Sequence, residues 1–191
     1  MQITNFSFLF LFLPCALLLA FLTRKHLQGQ NLALLVLSLA FYACSGIPGL
    51  LFVLGMSALV CLLARLPGRD WQYTGIVLCV AALCYLKYTG FFAENLSRLT
   101  GLALTVPTVA APLGVSFFTF LAISYLADVA RGAIAPERNF GRLLLYFTFF
   151  PKSAQGPLVR YGAFSPQLTA RRADLPAGIE RFLLGLGKKV L

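Results

Sequence analysis

Two cations beside a doubly interrupted backbone mark where this chain could do chemistry. Lys152 and Arg160 flank Pro151 to Pro157, where two prolines and Gly156 interrupt a hydrophobic segment. Proline removes an amide donor, and its ring clashes with the preceding turn. The helical pattern should therefore stop at Pro151 and again at Gly156-Pro157. Broken backbone in an apolar setting leaves polar groups unpaired unless protein or a water-filled cavity covers them, so such a break usually lines something. The Arg160 guanidinium suits phosphate geometry, and it could equally snorkel toward anionic headgroups. Lys152 admits the same two readings. Arg160, Gly156, Pro157 and Lys152 are the candidate substrate-binding residues.

Other chemistry is sparse. His26 is the single histidine, set beside Arg24 and Lys25 in a basic stretch, and reads as a solvated loop residue rather than a base. The acids Asp70, Glu94, Asp128, Glu137, Asp174 and Glu180 form neither a carboxylate pair nor a metal-ligand spacing. Cys15, Cys44, Cys61, Cys79 and Cys84 contain no CxxC and read as packing residues. Neither Gly114-Val115-Ser116 nor Gly162-Ala163-Phe164-Ser165 fits a nucleophile elbow or a phosphate loop. No catalytic residue and no metal site can be assigned, so the chain lacks a self-sufficient active site. Asp128 could pair with Arg131 three residues on, or could line or gate a path. Phe117, Phe118, Phe120, Phe149, Phe150 and Tyr161 could wall a tunnel or serve as packing.

The elements that must position these groups are hydrophobic throughout. The chain has 191 residues, 59% of them hydrophobic and 12% charged, with a mean hydropathy of +0.83. A soluble domain of this size does not need that much apolar surface. The pattern predicts an all-α, polytopic transmembrane protein with one re-entrant broken segment, a single integral membrane domain over residues 1–191. Apolar stretches run over Phe6 to Leu22, Leu32 to Ala43, Leu50 to Leu66, Gly75 to Phe92 and Leu113 to Ala130. Each approaches the ~20 residues that cross a bilayer. The net charge of +10 then reads as loop topology rather than nucleic-acid binding. Arg24 and Lys25, then Arg65 and Arg69, then Arg131, Arg138 and Arg142 fall at alternate connections. Basic loops stay cytoplasmic, which places the N-terminus outside. Met1 to Ser7 carries no basic residue, so the first run reads as an uncleaved span rather than a signal peptide.

The fourth connection, from about Thr89 to Pro112, contains Pro107 and Pro112 and predicts a short interfacial element. Leu143 to Phe150 is too short to cross and predicts a re-entrant element returning to the cytoplasmic side. A loop is expected over Ser165 to Pro176, then a helix from near Ala177 that reaches Leu191 without a capping signal. That ending reads as the middle of an element and the chain as truncated at its C-terminus.

Several strings occur in a fixed order: Pro112 to Phe120, Ile123 to Gly132, Phe149-Phe150-Pro151, Gly156 to Tyr161 and Gly187 to Val190. Together with Phe8 to Pro14 and Tyr85 to Tyr88, this set resembles the N-terminal portion of the membrane-bound O-acyltransferase (MBOAT) family, in the bacterial branch of alginate O-acetyltransferase and the D-alanyl transfer protein. The resemblance implies transfer of an acyl group from a cytoplasmic thioester such as acetyl-CoA, with no bound cofactor, to hydroxyls of an exported polysaccharide. It implies a multi-pass protein of the bacterial inner membrane, with the bilayer, the acyl donor, the polysaccharide and periplasmic acetylation proteins as partners. The expected base is a membrane-embedded histidine in the later half of family members, and no residue here matches it. Lys152 and Gln155 depart from the branch, which usually has an uncharged and a small apolar residue there. A noncatalytic subunit of a split acyltransferase and a polysaccharide transporter or flippase component remain as alternatives. The transporter would need a second, inverted broken segment.

Overall fold

Pro14, Pro48, Pro151 and Pro176 each stand second in a helix, where a missing amide costs nothing because the first-turn donors have no intrahelical partner. The computed structural model describes residues 8–23, 26–44, 46–100, 114–153, 157–170 and 175–190, and these contain helices and no strand. After a π-helical turn, Phe8–Phe12, come α1 (Leu13–Leu22), α2 (Leu27–Ala43), α3 (Ile47–Arg65), α4 (Arg69–Thr100) and α5 (Val115–Ala130). The shorter α6 (Phe140–Thr148), α7 (Phe150–Ser153) and α8 (Tyr161–Thr169) precede α9 (Leu175–Val190).

Where they are described, the five apolar stretches are helical over nearly all their length. Ile47–Arg65 and Arg69–Phe91 are long and apolar enough to cross a membrane, whereas Phe10–Leu22, Leu27–Ala43 and Val115–Ala130 are shorter. α5 ends in a Schellman arrangement. The Ala133 N–H donates to Asp128 O and the Gly132 N–H to Val129 O, both at 2.9 Å. Gly132 takes φ 72°, a conformation that costs other residues a Cβ clash.

Three boundaries depart from expectation. α4 runs to Thr100 instead of stopping near Thr89, because its polar residues bond along the helix. Arg98 pairs with Glu94 at 2.6 Å, Asn95 donates to Phe91 O and Thr100 to Leu96 O. Most of the predicted interfacial element, with Pro107 and Pro112, lies outside the described residues. α6 breaks at Phe149 (φ −49°, ψ 105°), two residues before Pro151, because the proline ring cannot follow a helical carbonyl four residues back. The segment expected to be a loop from Ser165 is helical through Thr169, since Tyr161, Phe164 and Leu168 bury one face of α8 despite Pro166. α9 begins at Leu175, close to the expected start.

The centre is α6, whose residues Leu143 to Thr148 are all buried among α2, α3, α5 and α8. α4 packs on α3 and α5, and Gly75 is what lets it approach. A Cβ there would stand 2.8 Å from Leu126 Cδ1 and 3.2 Å from Leu63 Cδ1.

Candidate functional site

The end of α6 and the break behind it assemble the site. Burying the α6 apolar face turns Tyr146 inward, and its hydroxyl donates to Val159 O at 2.9 Å. That bond satisfies a carbonyl in the extended stretch 157–160, which has no helical partner of its own. The Tyr146 ring meets Tyr161 at 5.1 Å and Phe164 at 5.4 Å between centroids, in edge-on or tilted geometries that aromatic quadrupoles favour. On the other side of the break, Ser38 of α2 accepts the Phe150 N–H at 3.2 Å and donates to Leu34 O at 2.7 Å. This caps the first amide of α7. Phe12 closes on Phe150 at 5.1 Å.

Lys152 and Arg160 both border this cluster. The Lys152 side chain is 7% exposed; its Nζ lies 4.0 Å from the Tyr146 ring centroid and 4.4 Å from that of Phe164. It has no hydrogen-bond acceptor among the described residues. Arg160 stands at the N-cap of α8 in extended conformation, with its guanidinium largely exposed and Nη1 3.9 Å from Asp128 Oδ1. Asp128 therefore pairs across the break with Arg160, where a bond to Arg131 along the helix was one expectation. The Schellman turn explains this, since it carries Arg131 to the capping position while Asp128 stays buried in the last turn. Pro157 is exposed beside Arg160. Gly156 lies outside the described residues.

Below the aromatic cluster, Glu137 ties the α5–α6 connection to three helices. Its carboxylate accepts from the Tyr161 hydroxyl and from the Asn139 N–H at 2.7 Å, and its own N–H donates to Tyr125 Oη at 2.9 Å. Arg65 of α3 donates to Arg138 O at 2.8 Å. Partial burial works against the carboxylate. The Tyr161 hydroxyl, the Asn139 amide, the Arg142 charge and the Arg138 amide outweigh it and hold Glu137 below its ordinary range. Burial and the same carboxylate push the Tyr161 phenol up.

Chemically, the arrangement offers donors, cations and the partnered carboxylates of Asp128 and Glu137. His26 is exposed at the N-cap of α2, and no group of three or more His, Cys, Asp or Glu residues is placed to hold a metal among the described residues. Phe118, Phe150 and Tyr161 are buried in ring-to-ring contacts, whereas Phe120 faces outward. A cavity of about 290 Å3 opens between α2 and the start of α6, lined by Gln28, Asn31, Asn139 and Arg142. Tyr146, Ser38 and Glu137 were not foreseen as parts of the site. An Asn at position 139 before an apolar run was a legible N-cap signal for α6.

No family model and no solved structure matches the chain. Curated relatives do. The chain is 31% identical over 96% of its length to "Probable alginate O-acetylase AlgI" of Pseudomonas syringae pv. tomato, covering 38% of that protein. It is 33% identical over the same share to the protein of that name in Pseudomonas putida, covering 41%, and 26% identical to "Peptidoglycan O-acetyltransferase" of Helicobacter pylori, covering 43%. The chain thus spans about two fifths of the length of the curated relatives it matches. It is homologous to named O-acetyltransferases, consistent with the N-terminal portion of a membrane-bound O-acyltransferase.

Proposed function

We propose that this chain is the donor-side portion of a membrane-bound O-acetyltransferase. In this reading an acyl thioester such as acetyl-CoA approaches from the cytoplasm, and its acetyl group passes to a hydroxyl of an exported polysaccharide. The observation that carries the reading is similarity along 96% of the chain to proteins named for O-acetylation of alginate and peptidoglycan. The geometry supports the donor side because Arg160 holds an exposed guanidinium beside the break, with buried Asp128 at 3.9 Å, in a form that phosphate oxygens match. In this reading the group that takes the hydroxyl proton is the membrane-embedded histidine that the family resemblance implies.

The membrane setting, a multi-pass protein of the inner membrane with its N-terminus outside, is part of the same proposal. Polar Ser38, Ser57, Gln72 and Thr119 are buried while Leu51, Leu62 and Val77 are more than half exposed, the polarity expected when lipid is the solvent. Periplasmic proteins that handle the acetylated polysaccharide would be its partners.

The test is transfer of radiolabelled acetyl groups from acetyl-CoA to polysaccharide in inner-membrane vesicles carrying this chain together with the histidine-bearing portion. Acetyl incorporation that requires donor on the cytoplasmic face supports the reading. Incorporation that persists at the same level when this chain is omitted overturns it.

A further inference from the structure

We infer that the Lys152 side-chain amine is the group that donates a hydrogen bond to the carbonyl oxygen of the acyl thioester. The inference rests on the donor reading above and assigns to Lys152 a contact that neither the fold nor the relatives require. A buried amine without an acceptor is among the costliest things a fold can carry, and Lys152 Nζ is one: its side chain is 7% exposed and it has no hydrogen-bond partner among the described residues. The Tyr146 and Phe164 rings at 4.0 and 4.4 Å hold a cation by their faces, yet a ring face accepts no ordinary hydrogen bond.

Other acceptors of the same cluster have partners of their own. Val159 O takes the Tyr146 hydroxyl, Asp128 faces Arg160, and the Glu137 carboxylate takes Tyr161 and the Asn139 amide. No acceptor among the described residues bonds Nζ, which leaves the amine free to meet one from a ligand. Exposure orders the two cations: Arg160 outside, able to meet the phosphates of a thioester donor, and Lys152 inside, able to meet its acyl end. Four methylenes let the amine swing off the rings without backbone movement.

Binding of acetyl-CoA and of S-ethyl-CoA, the thioether that lacks only the carbonyl oxygen, to the detergent-solubilised chain tests this. Hydrogen bonds to charged groups support an expectation of about ten-fold tighter binding of acetyl-CoA. Lys152→Met should erase that preference while the melting temperature holds or rises, because an unpaired buried amine is removed. Equal binding of the two compounds to the wild type overturns the Lys152 contact and leaves the donor reading standing. A preference that survives in Lys152→Met also overturns it. Binding of neither compound overturns both. Should Lys152→Met fail to fold, Lys152→Leu, which also lacks a donor, and the wild-type comparison read the same contact.

Discussion

At Arg160 a weak ion pair separates structure from chemistry. A pair at 3.9 Å with one partner largely exposed is screened and worth at most about 1 kcal/mol. Arg160→Ala should therefore lower unfolding stability by no more than that, measured by thermal melting in detergent, while acyl transfer in the vesicle assay falls at least about ten-fold, the scale of a lost charge-assisted contact. Normal transfer at normal protein levels would remove Arg160 from the donor site. Glu137 makes the contrasting case, a group whose role is to hold the fold. Its carboxyl is held below its ordinary value near 4.5, so the folded state favours the ionised form. The stability this contributes is complete above that ordinary value and is lost as pH falls through the lower, folded-state value. Acidification below about pH 4.5 should destabilise the wild type more steeply than Glu137→Gln, as read from melting temperatures on a pH series. Parallel curves would mean that Tyr161 and Asn139 are not bonded to a carboxylate in solution.

Among the elements, the break at Phe149 depends on Ser38, one helix away. Ser38→Ala would remove the hydroxyl that accepts the Phe150 amide and should cost about 1 kcal/mol, seen as a lower melting temperature. Ser38→Thr keeps the hydroxyl and should recover part of the loss. The α3–α4–α5 junction at Gly75 is the other sensitive point. With Leu126 at 2.8 Å from any added Cβ, Gly75→Leu overpacks the junction and should cost about 1–3 kcal/mol, whereas an unchanged melt would mean the helices sit further apart. Much of this was legible, because apolar runs of this length and composition leave few alternatives to helix, and proline rules placed the break to within two residues. The end of α4 was misread because Glu94, Asn95 and Thr100 are loop-like by type, yet each bonds a residue four positions along the helix. Arg160 and Lys152 stood out as cations beside a break. Tyr146 and Ser38 did not, since what makes them part of the site is a partner 13 and 112 residues away, and local pattern carries no such information.

For the molecule as a whole, α4 sets the scale against which a bilayer can be placed. It exposes Trp71 and Tyr73 at one end and Tyr85 and Tyr88 further along. Trp71 and Tyr88 are 17 positions apart, roughly 25 Å of helix rise, close to the ~30 Å hydrocarbon core at whose two interfaces aromatic residues collect. Exposed Val77, Leu78 and Val80 lie between, where lipid would meet them. α2, packed on α1, α3 and α6, runs from His26 to Cys44 at its C-cap, so the proposed orientation, with the Arg24-Lys25 end cytoplasmic, puts Cys44 at the outer surface. Cys44 is exposed, whereas Cys61 and Cys79 are buried. Cys15 and Cys84 are exposed within hydrophobic helix, where lipid would keep a water-soluble reagent away. A membrane-impermeant maleimide added to intact spheroplasts should therefore modify Cys44 ahead of the other four cysteines, with Cys44→Ser abolishing most of the label. Labelling of Cys44 in inverted vesicles alone would reverse the orientation, carry Arg160 and the 131–142 connection to the outer face, and remove the cytoplasmic donor from reach of the break. The orientation of α2 thus decides whether Arg160 and Lys152 can meet a thioester at all, which makes this labelling the stricter test of the donor assignment.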